Sequence, residues 1–444
     1  MAREINLEHI TKIEGHAKLR LKVEGGEVEE VEMEVFEGAR YFEGIVKGRR
    51  YQEAAPLTSR ICGVCSVVHF LTGLKAVEAG LGIKPSEAAQ DLRELMHIGG
   101  VLQSHMLHVY FLALPDYLGF PDALAMASKY PQEVRMGIGL KKTGNELISV
   151  IGGREVHPIS ARLGGFTRLP SKADLYFLKE QLVARRQDAT KTAQLFAGLD
   201  YPEFERNTQY LALSEPEKYA LLSGRLTSSS AESILPDDYA KHLDEYVNPY
   251  STSKFVTLEG KSYMTGAMAR VNLNRAKLSG NAKQALEYAE GKGKRFPSCN
   301  PFYNNLAQAI ESVHLLDRAI QLCDETDLSG EKIIDLRQEF PLAGDVRGVS
   351  VSEAPRGLLF HDYSVAKDGK ITAANIITPT AQNLRNIEDD VRAYVPQLLE
   401  TGADEKKIVS EMEKLVRAYD PCISCATHFL QVDLQIDGKR HKNR

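Results

Sequence analysis

Two pairs of cysteines have the residue type and the spacing that could bind a metal ion. Cys62 and Cys65 form one Cys-x-x-Cys pair, and Cys422 and Cys425 form the other. Residues three apart share one face of a helix, so each pair can direct two sulfurs at one point. If the pairs meet, they form a four-thiolate pocket. Such a pocket selects soft or borderline metals such as zinc, iron, nickel and copper over magnesium and calcium.

The residues around each pair predict a helix that favours the thiolate form. Asp420 followed by proline is typical of a helix start, which puts Cys422 in the first turn. Thr58 or Ser59 could cap a second helix that has Cys62 in its first turn. The positive end of a helix dipole lowers the pKa of a thiol at that position.

The spacing alone leaves several uses of these cysteines open. A structural zinc site is one, but zinc ribbons separate their pairs by roughly 15–20 residues, whereas here most of the chain lies between them. A chain of this length also buries enough core to fold without a metal staple. A redox dithiol is a second use that the spacing permits, and an unpaired structural role is a third.

The residues that flank the two pairs distinguish among these uses. Arg60 precedes the first pair and His69 follows it, while Asp420 precedes the second pair and His428 follows it. With these flanks, the two motifs resemble the two signatures of the large subunit of nickel–iron hydrogenases. Other segments agree in the expected order, and the resemblance extends from Lys12 to His428.

This resemblance implies a metal centre and a reaction. Cys62 and Cys422 would be terminal ligands of nickel, and Cys65 and Cys425 would bridge nickel to an iron that carries carbon monoxide and cyanide. Dihydrogen would be split heterolytically, with its proton passing to Cys422 and then to Glu14. Electrons would leave through an iron–sulfur small subunit, which further electron-transfer subunits would accompany.

Other residues match positions with defined roles in that family. Glu43, Ile376 (through its backbone carbonyl) and His428 match ligands of a magnesium ion. His69 matches a histidine that forms a hydrogen bond to a bridging cysteine, and Arg356 and Thr380 match donors that face the cyanide ligands. Ser104 stands where some members carry an acid. In the family a maturation protease cuts after the histidine that His428 matches, so residues 429–444 are a candidate removable tail.

Composition sets the broad class of the protein. Of 444 residues, 43% are hydrophobic and 26% charged, which is typical of a globular protein with a substantial core. The net charge of −5 argues against nucleic acid as a partner. No apolar run approaches the ~20 residues of a membrane helix. The absence of tryptophan favours a soluble, cytoplasmic member of the family. The missing N-terminal signal segment does not decide the location, because hydrogenases can be exported on the signal of their partner subunit. Six cysteines are too few for a disulfide scaffold, and Cys299 and Cys323 are expected to pack in apolar surroundings.

The elements that must position these residues follow from apolar periodicity and from start and stop signals. Strands are predicted within 4–37 and 346–380, mixed short strands and loops over 200–272, and a buried loop over 151–158. Helices are predicted over 58–80, 86–114, 171–198, 274–290, 301–325 and 384–419, the last broken near Pro396 and Gly402.

The predicted fold is mainly α, a core bundle of long helices with small peripheral β-sheets, as a single domain over 1–444. The predicted function is reversible oxidation of dihydrogen. A non-catalytic scaffold like the hydrogenase-like subunit of respiratory complex I is one alternative, although that subunit lacks the four cysteines. A structural zinc protein is another. The electron acceptor stays open among a nicotinamide, a deazaflavin and a heterodisulfide reductase partner.

Overall fold

The computed structural model describes residues 3–7, 9–24, 26–38, 41–230, 233–335, 338–427, 433–436 and 439–442. Helices dominate it. They are α1 Phe42–Val46, α2 Ala54–Thr58, α3 Ser66–Leu81, α4 Glu87–Leu107, α5 Leu114–Tyr117, α6 Ala123–Ala127, α7 Pro131–Gly152, α8 Lys172–Ala197, α9 Ala267–Asn274, α10 Gly280–Gly291, α11 Asn304–Glu325, α12 Pro379–Glu400, α13 Glu405–Ala418 and α14 Ile423–Ala426. A π-helical turn, His108–Ala113, joins α4 to α5. Short 3-10 turns cover Tyr51–Glu53, Ser59–Ile61, Pro236–Lys241, Arg275–Lys277 and Pro301–Tyr303.

The strands form small sheets. They are β1 Arg3–Leu7, β2 Ala17–Glu24, β3 Glu27–Val35, β4 Ala161–Arg162, β5 Gly165–Phe166, β6 Gln209–Ser214, β7 Arg225–Ser228, β8 Leu243–Val247, β9 Lys254–Leu258, β10 Tyr263–Met264, β11 Val346–Ala354, β12 Gly357–Val365, β13 Ile371–Ile377, β14 Asp433–Ile436 and β15 Lys439–Lys442. Among the described residues, three sheets have three strands, in the orders β1-β2-β3, β10-β6-β7 and β11-β12-β13. The prediction of a mainly helical chain with small sheets is confirmed.

One of these sheets is internal, which corrects the prediction that the sheets are peripheral. Every residue of β12 except Ser364 is buried, and α3 packs against both β11 and β12. Gly348 of β11 permits the close approach, because a Cβ there would overlap the carbonyl oxygen of Ala76 in α3. The hairpin is antiparallel, and burial extends to the polar residues His361 and Asp362 of β12. The β11–β12 hairpin therefore lies beside the helix that follows the first cysteine pair.

Several predicted helices are confirmed with shifted ends. Ser171 and Asp174 form the expected capping box at the start of α8, and Ser86 caps α4. The predicted break at Pro396 is wrong, because α12 continues through it to Glu400. A proline inside a helix costs about 3 kcal/mol, and the buried side chains on either side of Pro396 offset that cost.

The segment 151–158 is not the buried loop that the sequence predicted. Residues 153–156 are exposed, with Val156 at 43% of its full accessibility, and Ile159 beyond them is 48% exposed. The segment is anchored at its end instead. His157 donates its backbone N–H to Ser66 Oγ at 3.2 Å, and its Nδ1 lies 3.1 Å from the carbonyl oxygen of Ser59. These contacts hold an exposed loop against the segment that leads into the first cysteine pair.

Candidate metal centre

The four motif cysteines meet in the interior of the protein. Their Sγ atoms all lie within 4.8 Å of one another, and all four residues are buried. The Sγ atoms of Cys62 and Cys422 are 3.4 Å apart, and those of Cys422 and Cys425 are 2.8 Å apart. The cysteines at 62 and 422 are separated by 360 positions in the sequence. The expectation that both pairs reach one buried spot is confirmed.

The surroundings of these thiols suit a bound cation. Burial raises the pKa of Cys422 and Cys425, whereas hydrogen bonds, first from Cys422 and then from Cys425, lower the pKa of Cys62. The pocket itself thus favours a thiolate at Cys62 and disfavours one at Cys422 and Cys425. A metal ion supplies the positive charge that a buried thiolate needs, so a four-sulfur donor set of this kind fits a soft metal.

The backbone around the cysteines differs from the predicted helix starts. Cys62 is extended (φ −150°, ψ 141°), and Cys65 is the N-cap of α3, so neither lies in a first turn. Asp420 has a left-handed backbone (φ 52°) and Cys422 is itself the N-cap of the short helix α14. The predicted capping roles of Asp420 and of residues 58 and 59 are therefore wrong. Aspartate tolerates the left-handed region better than most residues.

Backbone groups surround the sulfurs even though the helices begin later. The N–H of Cys65 points to Cys62 Sγ at 3.4 Å, and the N–H of Cys422 donates to Thr380 Oγ1 at 2.9 Å. A hydroxyl that accepts a hydrogen bond keeps its own proton to donate. Thr380 is buried in the first turn of α12, so its hydroxyl stands beside the second cysteine pair.

Arg356 reaches the cysteines from the turn between β11 and β12. It is 3% exposed, and its Nη1 lies 3.3 Å from Cys65 Sγ and 3.2 Å from Ser104 Oγ. Its Nε donates to the carbonyl oxygen of Asp420 at 2.6 Å, and its Nη2 pairs with Asp420 Oδ1 at 2.9 Å. Burial opposes the charge on Arg356, but Asp420 and the nearby thiols raise its pKa. The site therefore contains a fixed positive charge.

Glu14 joins the first strands of the chain to the second cysteine pair. Its backbone forms an isolated parallel bridge with Cys422, and its carbonyl oxygen accepts from the N–H of Ile423 at 2.9 Å. Its side-chain Oε2 accepts from the N–H of Ser424 at 2.9 Å and lies 3.2 Å from Cys422 Sγ. The carboxylate is within hydrogen-bonding reach of a thiol proton.

His69 lies on α3, one turn after Cys65, and is buried. Its Nδ1 is 3.2 Å from Nε2 of His361, and Nδ1 of His361 is 2.6 Å from the hydroxyl of Tyr363. Neither His361 nor Tyr363 is among the residues predicted from the sequence. Both are buried on β12, and the contact of His361 with His69 spans 292 positions, so no local pattern indicated it. The predicted bond from His69 to a bridging cysteine stays a prediction.

Glu43 occupies a buried cluster of charged and polar groups. Its Oε1 accepts from the backbone N–H of Ile376 at 2.8 Å and from Nζ of Lys254 at 3.0 Å. The same ammonium group contacts Glu245 Oε1 at 3.1 Å and Asn375 Oδ1 at 3.2 Å. Two carboxylates face one lysine, so the cluster has one negative charge left for a further cation. Lys254, Glu245 and Asn375 are not among the residues predicted from the sequence.

His428, the third predicted magnesium ligand, lies outside the described residues. Cys299 is partly buried and Cys323 is buried, as expected for cysteines outside the motifs. Within the described ranges, no helix is long and apolar enough to cross a membrane.

Comparisons with known proteins agree with the site. Residues 40–145 and 207–428 match the family model described as nickel-dependent hydrogenase. Sulfhydrogenase 1 subunit alpha of Pyrococcus furiosus is 37% identical over 430 residues, which cover 96% of this chain and 98% of that subunit. Sulfhydrogenase 2 subunit alpha of the same organism is 34% identical over 432 residues, covering 96% and 100%.

A solved structure shares the fold over almost the whole chain. The crystal structure of an NAD+-reducing [NiFe]-hydrogenase in the H2-reduced state superposes with a TM-score of 0.85 at 28% identity. The match covers 96% of this chain and 99% of that one.

Proposed function

The chain belongs to the family of nickel-dependent hydrogenases and is its catalytic large subunit, and we propose that its four central cysteines hold a nickel and an iron ion. Cys62 and Cys422 would hold the nickel as terminal ligands, and Cys65 and Cys425 would be shared between the nickel and the iron. The observation that carries this assignment is the convergence of four buried sulfurs within 4.8 Å. Thiolates suit these soft metals better than any oxygen ligand does.

The bound metals supply the polarisation that splits dihydrogen heterolytically. The protein moves the resulting proton. Cys422 Sγ receives it and passes it to Glu14 Oε2, which lies 3.2 Å away. A carboxylate within this distance can act as a general base. The N–H of Ser424 fixes that oxygen in place. The same two groups return a proton when dihydrogen is produced.

Arg356 and Thr380 would donate hydrogen bonds to the cyanide ligands of the iron. Arg356 is a rigid donor group beside Cys65 Sγ, one of the two bridging sulfurs. Planar guanidinium donors suit anionic ligands such as cyanide. The Thr380 hydroxyl has a proton to donate once it has accepted the hydrogen bond from Cys422. His69 adds a polar contact to a bridging sulfur from one turn of α3 away.

A magnesium ion binds at Glu43, together with the backbone carbonyl of Ile376 and with His428. The unneutralised carboxylate charge around Glu43 and Glu245 supports this site. Magnesium keeps several waters, so the Glu245 carboxylate would accept hydrogen bonds from its hydration shell.

Electrons leave through an iron–sulfur small subunit and further electron-transfer subunits. Two cysteines remain outside the metal site, too few for an iron–sulfur cluster held by four thiolates. The exposed loop around Val156 offers a contact surface, since His157 links it to the segment before Cys62. The relatives named as alpha subunits support a multi-subunit enzyme. The cytoplasmic location stays a prediction.

Residues 429–444 are removed by a maturation protease that cuts after His428 once nickel is inserted. The tail contains the charged residues Lys439, Arg440, Lys442 and Arg444, which are rarely buried unpaired. A chain that must turn inward at Cys425 would have to lead this tail back out. Intact mass spectrometry of nickel-loaded and nickel-starved preparations tests the cut. Active, nickel-loaded protein that still ends at Arg444 would disprove it.

Metal analysis of the purified complex, paired with an assay of dihydrogen oxidation, tests the proposed function. We expect nickel and iron together with activity. Zinc alone would favour a structural site, and absence of metal from a well-folded complex would favour a scaffold role for this particular chain.

A further inference from the structure

Arg270 of α9 uses all five of its N–H donors inside the protein. Its Nε and Nη2 bind the two carboxylate oxygens of Glu311 at 2.6 Å each, and its Nη1 binds Glu353 Oε2 at 3.0 Å. The two remaining donors reach backbone carbonyl oxygens, that of Ala354 at 3.0 Å and that of Pro355 at 3.2 Å. The side chain is fully buried. A guanidinium with five donors and five acceptors has one orientation only.

The two carboxylates that hold Arg270 are themselves fixed. Glu311 on α11 also contacts the hydroxyl of Tyr219 at 2.7 Å and Nε2 of His105 at 2.7 Å. Glu353 accepts the backbone N–H of Leu213 at 2.7 Å. A buried polar network in which every member has partners rigidifies its surroundings. The guanidinium therefore cannot move unless α11, β6 and β11 move with it.

The charges in this network stabilise one another. Burial lowers the pKa of Arg270, but the charge and hydrogen bonds of Glu311, together with the charge of Glu353, outweigh burial and raise it. Burial likewise raises the pKa of Glu311, and the charge and hydrogen bonds of Arg270 reverse that effect and lower it. The Arg270–Glu311 pair is thus ionised at neutral pH. Such a pair is costly to bury, and its presence calls for a role beyond packing.

The two carbonyl groups belong to the turn that carries Arg356. Ala354 of β11 pairs with Gly357 of β12, so Pro355 and Arg356 are the central residues of a two-residue hairpin turn. Gly357 has a φ of 132°, which favours glycine. The other side of the turn is also confined, because a Cβ on Gly266 would lie 3.0 Å from the carbonyl oxygen of Arg356. The backbone of the turn is therefore held on both sides.

We propose that Arg270 is a positioning residue for the cleavage of dihydrogen, which acts by holding the Ala354 and Pro355 carbonyl groups and so fixing Arg356 beside the metal site. The guanidinium of Arg356 then lies 3.3 Å from Cys65 Sγ without touching Arg270. This inference rests on the proposed role of Arg356. Helix α9 contributes no metal ligand, but through Arg270 it places the positive charge of Arg356 in the site.

Arg270→Lys in the complete complex tests the proposal. A lysine keeps the charge but has three donors on one nitrogen, so it cannot hold both carbonyl groups and both carboxylates. We expect nickel content and KM for dihydrogen to stay at wild-type values. We expect kcat to fall about 10–100-fold, as for a displacement of the order of 1 Å at a reacting group.

Arg93→Lys is the matched control. Arg93 on α4 forms a similarly buried two-point pair with Glu78, with both distances at 2.7 Å, but it has no hydrogen bond to the β11–β12 turn. If disturbing any buried arginine–glutamate pair lowered kcat, both Arg270→Lys and Arg93→Lys would be slow. The proposal requires that Arg93→Lys keeps the wild-type rate.

A double variant separates positioning from general structural support. In the Arg356→Lys background, Arg270→Lys should lower kcat by less than about twofold, because residues that act through one group are not additive. If the fold decreases in kcat of the two single variants multiply in the double variant, the proposal is wrong. If Arg270→Lys does not yield folded protein, Glu311→Gln replaces it, since the amide no longer orients Arg270 by charge, and the same non-additivity is required.

The outcomes also distinguish this inference from the proposed function. If Arg356→Lys keeps the wild-type rate, the proposed role of Arg356 is wrong. If Arg356→Lys is slow while Arg270→Lys is not, only the positioning role is wrong.

Discussion

Replacing Arg356 by lysine tests the role of the fixed positive charge in the site. The arginine makes four polar contacts, at 2.6 and 2.9 Å with Asp420, 3.2 Å with Ser104 and 3.3 Å with Cys65 Sγ. These contacts come from three different nitrogens. A lysine has one nitrogen, so it can keep the ion pair with Asp420 only by giving up the contacts near Cys65.

The expected effect follows from what the variant keeps and loses. The charge remains, so Asp420 is not left as an unpaired buried carboxylate, which would cost about 3–5 kcal/mol. A donor placed where charge develops in the transition state is lost, which costs about 2.7–4 kcal/mol, or roughly 10²–10³ in kcat. Arg356 is not a metal ligand, so the nickel and iron contents should be unchanged.

The assay is dihydrogen-dependent reduction of a viologen dye by the purified complex, with nickel and iron measured on the same sample. Arg93→Lys serves as the control for changing a buried arginine. A wild-type rate in Arg356→Lys with full metal content would show that the residue is structural. Loss of nickel in proportion to the rate would show that it is needed for assembly instead.

Three further predictions concern other residues. Cys425→Ser should lose nickel and dihydrogen oxidation together, since an alkoxide binds a soft metal poorly; elemental analysis checks this. Glu14→Gln should keep its nickel but slow hydrogen–deuterium exchange about 10²–10⁴-fold, because an amide cannot relay a proton. Burial raises the pKa of Glu353 to about 7 against the opposing charge of Arg270. Because its pKa is raised, Glu353 keeps its proton to a higher pH in the folded state than in the unfolded state. Its contribution to the free energy of unfolding therefore falls by about 3 kcal/mol as the pH rises from about 4.5 through 7. Glu353→Gln should flatten that decline in urea midpoints.

Each of these predictions has an outcome that contradicts it. A nickel-loaded Cys425→Ser variant would remove that cysteine from the ligand set. Unchanged isotope exchange in Glu14→Gln would place the proton route elsewhere. A wild-type pH dependence of the urea midpoint in Glu353→Gln would assign the decline to other groups.

Local patterns predicted those features that local chemistry determines. The Ser171–Asp174 capping box needs only residues three apart, and the structure has it at the start of α8. Each Cys-x-x-Cys pair is recognisable for a related reason, because its two sulfurs belong to residues only three positions apart. The resemblance to a known family, and not the spacing of either pair, implied that the two pairs meet.

Contacts between distant parts of the chain were not predictable in this way. Lys254 meets Glu43 across 211 positions, and Arg356 meets Asp420 across 64. No periodicity marks a lysine or an aspartate that will be buried by a partner so far along the chain. The sequence predicts a helix-capping role for Asp420, because this residue precedes a proline. Its ion pair with Arg356 and its left-handed backbone instead depend on tertiary packing.

The distance between the cysteine pairs along the chain also has a consequence in time. Cys62 and Cys422 are 360 positions apart, and at about 5–20 residues per second of translation the first is made roughly 20–70 s before the second. During that interval the nascent chain contains the sulfurs of Cys62 and Cys65 and the carboxylate of Glu14. It does not yet contain Cys422, which lies beside Glu14 in the folded protein. No four-thiolate pocket exists for a metal to enter until the ribosome has passed Cys425.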